Sequence, residues 1–394
     1  MLGKPRVKLC HNLIKVSGSE VCIGEIPHRA FLLKGAEQPL IDLLEMLDGT
    51  RTVPRLIKTF REKHPEVDEK DIVATLEDLS RRNLLDDASA ESEVLSRREM
   101  ELYDRQILLF SLLDALGKPG FRYQESLHSK TVTVFGMGGW GTWLSLHLAL
   151  AGIGQLRLFD GDTVEHSNLN RQVLYDVSQI GKPKVESAAE SIARINPNVK
   201  VETHFTFVPG DAAKIREMLG ATDLLALCWA NLSFFRDGTT EAIVHREAFS
   251  ARIPVIDMAA DPFEITAGPL LENNGDGPCL ECIRENVRRT VYSGDGDTDR
   301  ISQARLHTQF MNGARLVNAW QSSPSLSVMA GLVADSAVKF LAGFKDVPLR
   351  EKRFRLTLTD LKSETLHAGK RSDCSWCGME VSDESVRGVD TVMA

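Results

Sequence analysis

In the stretch FGMGGWGTWLSLHLALAGIGQLRLFDGD, residues 135–162, Gly136, Gly138, Gly139 and Gly141 crowd the join between an apolar run and a helix-like segment. The N–H groups of such a turn, with the helix N-terminus behind it, make a site for phosphate oxygens. Glycine lets the backbone approach closely and take positive φ. Asp160 follows Gly141 by 19 residues, at the end of the next apolar run, where a carboxylate accepts hydrogen bonds from ribose hydroxyls. NAD, FAD and ATP fit this pattern equally well. Arg171 and Lys184 come next, as cations on the nucleotide side. A hydride-transfer cofactor needs a flat nicotinamide pocket rather than extra cations. Adenylation of a carboxylate does need them, because charge gathers on a pentacoordinate α-phosphate and pyrophosphate leaves.

A second set of residues has metal chemistry. Seven cysteines occur, and four form two CxxC turns: Cys279 and Cys282 in GPCLECI, Cys374 and Cys377 in SDCSWCG. In a long chain without a secretory signal, that spacing favours metal over disulfides. Four thiolates close a tetrahedral Zn²⁺ shell with bonds of about 2.3 Å and leave no position for water, so the site reads as structural. It would clip the C-terminal segment to the domain across about 90 residues. Cys10, Cys22 and Cys228 lack matching spacing.

The elements that must position these groups follow from pattern. A chain of 394 residues implies two or three domains. The formal net charge of −8 argues against a general nucleic-acid binder. No run of 18 apolar residues is free of charge or glycine, so no membrane span is expected. The start, MLGKPRVKLCHNLIKV, lacks the form of a signal peptide, and a cytoplasmic location is expected. Residues 1–90 read as a winged-helix-like α+β module. NLIKVSG, EVCIGEI and AFLLKG are strand-like. Three helices follow, in QPLIDLLEMLDG (stopping at Gly49), in TVPRLIKTFREKH (capped by Thr52) and in DEKDIVATLEDLSRRNLL. Residues 91–129 read as a linker that turns helical from about Ser96. Residues 130–394 read as an α/β, Rossmann-like domain with a mostly parallel sheet, its strands in TVTVFG, LRLFD, VKVETHF, LLALCW and PVIDMA. The segment 285–303, rich in Gly, Asp and Ser, reads as a mobile loop, and PSLSVMAGLVADSAVKFLAG as an apolar helix.

FGMGGWG, LFDGDTVEHSNLNRQVLY, GKPKVESA, INPNV, GPCLECI and SDCSWCG occur in the order found in the E1-like adenylating enzymes, which the chain resembles over roughly residues 97–380. That superfamily holds the activators of ubiquitin-like proteins and of the thiamin and molybdopterin sulfur carriers. The resemblance implies ATP and Mg²⁺ as cofactors, with Asp160 on the ribose and Asn168, Arg171, Gln172 and Lys184 around the triphosphate. It implies that Arg105, in LYDRQIL, reaches the ATP of a partner subunit, hence a homodimer with composite sites. Two departures stand out. The family's Asp-Asn pair after the fourth strand is Ala230-Asn231 here, so Asn231 remains but Mg²⁺ placement must differ: Asp257 or Asp261 could substitute, or the site is weakened. No cysteine lies between Cys282 and Cys374, where ubiquitin-type activators carry their thioester cysteine. Covalent thiol transfer is therefore not expected.

Residues 8–87 resemble the peptide-recognition domains of ribosomal peptide-modification pathways, whose prototype is the chaperone of pyrroloquinoline quinone biosynthesis. The likeness rests on element order and on LLEMLDGTRTVPRLIKTF followed by LEDLSRRNLL. Such domains add a leader peptide as a strand to an exposed edge, here residues 30–35 facing the helix around 71–83. Together the halves resemble the adenylating enzymes of pantocin A and microcin C maturation, the pantocin type fitting better. The implied activity is ATP-dependent adenylation of a carboxylate on a ribosomal precursor peptide, followed by displacement of AMP by a peptide nucleophile, as in a pantocin-like Glu side-chain condensation. The alternatives are an activator of a sulfur-carrier or ubiquitin-like protein, a degenerate fold acting as a peptide scaffold, and, more remotely, NAD-dependent redox chemistry. The cations Arg105, Arg171 and Lys184 favour catalysis over the scaffold.

Overall fold

The structure is a computed structural model that describes residues 2–229, 238–260, 263–293 and 321–378. It divides into two compact units, Met1–His128 with Ala342–Phe344, and Ser129–Leu341 with Lys345–Ala394.

In the first unit, Pro5–Val7 (β1) precedes the antiparallel strands Leu13–Ser17 (β2), Glu20–Ile23 (β3) and Phe31–Lys34 (β4), ordered β2-β3-β4. The helices Gln38–Met46 (α1), Val53–Lys63 (α2) and Glu69–Arg81 (α3) follow. Val21 and Ile23 of the central strand meet Leu44, Leu56, Phe60 and Ile72 of the helices in one apolar core. Thr52 is the N-cap of α2, but its side chain makes no capping bond. Pro54 occupies the second helical position and so removes one of the two N–H groups a cap accepts from. Helix α1 ends before Gly49, which instead takes φ 78° in the turn to α2. Helix α3 ends at Arg81 rather than running on to Leu85. Asn83 turns left-handed at φ 59°, and Leu85–Asp87 (β5) then pairs with β1.

The segment after β5 folds onto this module. Ser96 and Glu99 form a reciprocal capping box that starts Arg97–Leu102 (α4). Asp104–Leu113 (α5) and Gly120–His128 (α6) then cross closely at Gly120, where a Cβ would overlap the carbonyl of Ile107. A buried ion pair joins Lys8, just past β1, to Asp114, just past α5, at 3.1 Å. Tyr123 Oη donates to the same carboxylate at 2.5 Å, and its ring stacks on Phe344 with centroids 4.2 Å apart.

The second unit is built on an eight-stranded sheet. Thr131–Phe135 (β6), Gln155–Phe159 (β7), Lys200–His204 (β8), Leu224–Leu227 (β9) and Val255–Ala260 (β10) run parallel in the order β8-β7-β6-β9-β10. Gly139–Leu150 (α7), Lys184–Ile195 (α8), Ala212–Leu219 (α9) and Thr240–Ser250 (α10) make the crossovers. Val132, Val134, Leu156 and Leu225 are fully buried, as expected where helices cover both faces of a parallel sheet. The chain moves outward from β6 to β7 and β8, then returns to β9 on the other side of β6. That reversal opens a crevice at the C-terminal end of β6, where open α/β sheets bind ligands. Glu264–Leu271 (β11) turns back antiparallel to β10, and Lys352–Thr357 (β12) and Ser363–His367 (β13) extend that edge.

The sequence reading of 285–303 as a loop needs correction. Leu280–Ser293 (α11) is a continuous helix through its first part, and 294–303 lies outside the described residues. Ser323–Ala342 (α12) is long and apolar enough to cross a membrane by length and composition. Leu326, Met329, Val333 and Ala337 are buried, so α12 packs as a core helix.

Asp114 generates a stability prediction. Burial works to raise its carboxyl pKa, and hydrogen bonds from Tyr123 and the Leu116 N–H, with the charge of Lys8, more than reverse this. Its folded value is depressed, so its contribution is present above the unfolded pKa of about 3.9 and is lost as pH falls through the folded value. Lys8→Ala leaves a buried carboxylate unpaired and should cost about 3–5 kcal/mol in denaturant unfolding at neutral pH, with the loss shrinking in acid. An unchanged midpoint would show that the pair contributes nothing.

Candidate functional site

The glycine turn links the end of β6 to α7, and its four glycines differ in what they permit. Gly136 sits at φ 96°, and a Cβ there would lie 2.7 Å from the Cys228 carbonyl oxygen at the end of β9. A Cβ on Gly141 would overlap the carbonyl oxygen of Gly136, and one on Gly139 would lie 2.6 Å from Leu326 Cδ1 of α12. Gly138, the N-cap of α7, faces open space. Three glycines therefore let backbone and core close up, and the fourth leaves room before the helix N-terminus. Asp160 locks the turn from the next strand. Its Oδ2 accepts from Met137 N at 2.6 Å and its Oδ1 from Asp162 N at 2.8 Å. Tyr175 Oη donates to the Met137 carbonyl at 2.8 Å.

The polar residues after Asp160 are brought to the same end of the sheet. Lys184, first residue of α8, is buried, and its Nζ lies 2.8 Å from Asp162 Oδ2. Two backbone bonds hold this arrangement, Val164 N to Lys182 O and Lys184 N to Asp162 O. Arg171 is half-buried, and its Nη1 donates to Ser167 O at 2.7 Å. Its own carbonyl accepts from Trp143 Nε1 of α7 at 3.1 Å, which ties this loop to the helix behind the turn. Asn168 is buried with Oδ1 taken by the Glu165 N–H at 3.0 Å. Gln172 is buried, and its Oε1 has no partner among the described residues. The sequence reading missed Asp162 and Tyr175, although both stand inside the quoted motif.

Some expected residues stand elsewhere. Ala230, Asn231 and Asp261 lie outside the described residues. Asp257 of β10 points to α10, with Oδ1 3.3 Å from His245 Nε2. Glu241, one turn before His245, is buried, and burial pushes its carboxyl up to about 7. Burial lowers the His245 pKa, but the Asp257 charge more than offsets this and leaves it raised. A carboxylate already facing an imidazole is a poor replacement ligand for Mg²⁺. Among the described residues, the four cysteines are the one group of three or more metal-ligating side chains. Arg105, on α5 of the first unit, is 91% exposed and pairs with Asp104 at 3.2 Å.

The four cysteine sulfurs converge. All lie within 4.8 Å of one another, with Cys279 to Cys374 at 3.5 Å and Cys282 to Cys377 at 3.2 Å. Four sulfurs about 2.3 Å from a shared Zn²⁺ would lie about 3.8 Å apart, so the spacing fits the ion. The Arg371 and Trp376 N–H groups donate to Cys282 and Cys374 sulfurs, each at 3.4 Å. A bond from the neighbouring Cys279 thiol draws Cys282 down to about 4, while burial and bonding to Cys282 push Cys377 up to about 11. With Zn²⁺ all four would ionise and hold α11 to the segment after β13.

Comparison with known proteins finds two family models that match the chain. The model of the ThiF family matches residues 103–377, and that of the PaaA-like N-terminal domain matches residues 10–69. The crystal structure of PaaA is 38% identical, covers 92% of this chain and 99% of its own, and superposes with a TM-score of 0.73. E. coli MccB with ATP is 20% identical, with 95% and 100% covered and a TM-score of 0.69, a likeness of fold. The microcin C7 biosynthetic enzyme MccB in complex with N-formylated MccA is 19% identical, with 95% and 100% covered and a TM-score of 0.67. The molybdopterin-synthase adenylyltransferase of Escherichia coli (strain K12) is 31% identical over 64% of this chain and 85% of its own length.

Two predictions follow from this geometry. Arg171→Ala and Lys184→Ala should each lower AMP formation about 10²–10³-fold, the usual cost of one charge-stabilising group, with unfolding midpoints near wild type. Wild-type rates of pyrophosphate exchange in either variant would remove that residue from the chemistry. Elemental analysis should find about one Zn per chain, and Cys279→Ser or Cys377→Ser should lose it and unfold at lower denaturant. A stable wild-type protein free of metal would contradict the structural role.

Proposed function

Because the chain belongs to the ThiF family, an ATP-dependent adenylating family, we propose that it activates a carboxylate of a ribosomally made precursor peptide. A carboxylate oxygen attacks the α-phosphorus of ATP, the bond to the bridging oxygen of the β-phosphate breaks, and pyrophosphate leaves. The product is an acyl-adenylate, from which a nucleophile of the peptide expels AMP. In this reading Asp160 holds the ribose, and Gly136, Gly138, Gly139 and Gly141 line the phosphate turn. Asn168, Arg171, Gln172, Lys184 and Asn231 surround the triphosphate. Arg105, solvent-facing on its own unit, serves the ATP of a second copy in a homodimer. Mg²⁺ would be carried chiefly by the phosphates and would need few protein carboxylates, as is usual for that ion.

The observation that carries the proposal is the pairing in one chain of a PaaA-like N-terminal domain with a ThiF domain, at 38% identity to PaaA over almost the whole length. The absence of any cysteine between Cys282 and Cys374 supports it. Strand β4 is an edge of its sheet, with Leu32 48% exposed, as addition of a leader strand requires. The 31% identity to a molybdopterin-synthase adenylyltransferase favours a second reading, activation of a sulfur carrier's C-terminus.

ATP–pyrophosphate exchange should rise when a leader-bearing precursor peptide is added, and not with a sulfur-carrier protein. The reverse result would select the second reading. Leu32→Pro removes a backbone donor at the edge without touching the core. It should weaken peptide binding in calorimetry about tenfold or more and leave ATP binding unchanged. Removing the first 88 residues is a poorer test, because it strips Lys8 from buried Asp114.

A further inference from the structure

Phe207 lies in the loop between β8 and α9 and is 66% exposed. The loop is held in place. The His204 carbonyl accepts from both Asp160 N and Thr206 N, at 3.3 and 2.9 Å, so the chain folds back over the end of β7 as it leaves β8. Val208 packs into the apolar core with Ile215, Leu219 and Val244 under α9 and α10. Asp211 caps α9 through Lys214 N at 2.9 Å. The Phe207 ring rests on Gly161: a Cβ there would lie 2.6 Å from Cδ2 and 2.7 Å from Cγ. Gly161 is not among the glycines at positive φ. Backbone conformation therefore does not demand a glycine at 161, whereas the seated ring does.

We propose that Phe207 is the base-stacking wall of the nucleotide site, and that the purine ring of ATP lies on its exposed face. The inference rests on the reading of the Gly136 turn and Asp160 as the ATP site. In the sheet order β6-β7-β8, the phosphate turn is at the end of β6, the ribose carboxylate at the end of β7 and Phe207 just past β8. Neighbouring strands lie about 4.8 Å apart, so these stations span roughly 10 Å. That is the reach of a nucleotide from its α-phosphate through the ribose to the base. One face of the ring is covered by the residue that follows Asp160, and the other is open. Stacking is sequence-tolerant among bases but stronger for larger rings, so the wall selects purines over pyrimidines by area.

Equilibrium binding to the full chain tests this, with ATP and inorganic tripolyphosphate as probes. Phe207→Ala should weaken ATP about 5- to 100-fold, the range seen when a base loses its aromatic partner, and leave tripolyphosphate unchanged. Phe207→Trp should keep ATP affinity within a few-fold. Its emission should be quenched by ATP beyond any change in wild type, and tripolyphosphate should not produce that quenching. Full ATP affinity in Phe207→Ala, with affinity lost in Asp160→Ala, would overturn this inference and leave the nucleotide site standing. A wild-type chain that binds neither probe would overturn both.

Discussion

The nucleotide end of the second unit depends on how closely one turn of backbone lies against another strand. Gly136 leaves β6 with its Cα so near the Cys228 carbonyl that no side chain fits, and Gly141 lies as close to the carbonyl of Gly136. Neither strand can retreat. β6 and β9 are paired through Phe135 and Leu227, and both are buried among helices on two faces. The steric demand therefore falls on residue type. With the turn fixed, Met137 N meets Asp160 and the Met137 carbonyl meets Tyr175, so the glycine turn and the Asp160 carboxylate are set by one bonded unit. Preorganisation of this kind spares a ligand the cost of ordering its site.

The cysteine cluster answers a different problem at the other edge of the sheet. β12 is only half-buried along its length and β13 is exposed throughout. Their cross-strand contacts include ion pairs of Arg355 with Glu264 and Glu364. Arg355 itself is 13% exposed, but Glu364 is 46% exposed, so that outer pair stabilises little. A metal held by the four cysteines would join the start of α11 to the segment just after β13, and so tie both ends of the chain that contains these strands. It would thereby anchor an edge that hydrophobic burial alone holds weakly.

The legibility of the sequence follows the same physics. β6, β7, β9 and β10 could be read because buried parallel strands are short apolar runs between turns. β11, β12 and β13 were not called. The β11–β12 pairing joins residues far apart in the chain, and β12 alternates Arg353 and Arg355 with apolar residues. The three-residue pair β1 and β5 carries too little pattern to see, and neither end predicts the other across the 78 positions from Val7 to Leu85. The glycines, Asp160 and Lys184 were legible because close approach and charge dictate residue type at short spacing. The contact of Lys184 with Asp162 was not, since it depends on the bridge that lays residues 162–164 beside 181–184. The grouping of Glu241, His245 and Asp257 joins a helix to a strand, and residue types alone give no hint of it. The expectation of a loop over 285–303 fails over its first part because the Gly and Asp residues that signal a loop begin only at Gly294, and 285–293 belong to α11.

The state of Lys184 bears on whether the fold is a working site or a scaffold. Its side chain is 8% exposed, while that of its partner Asp162 is 54% exposed. A buried ammonium carries a desolvation cost that a scaffold has no reason to bear, since an apolar residue of similar length would pack at least as well. In an adenylating site the cost has a use. The cation is already stripped of most of its water and held beside the turn, so an arriving phosphate meets a fixed charge and little reorganisation remains when pyrophosphate departs. Asp162 fits the same logic. Being half in solvent, it can keep the ammonium oriented at rest and yield part of the contact to phosphate oxygens, which a fully enclosed partner would not do. The pair thus reads as a charge kept in position for a second anion, and this weighs towards catalysis for the whole domain.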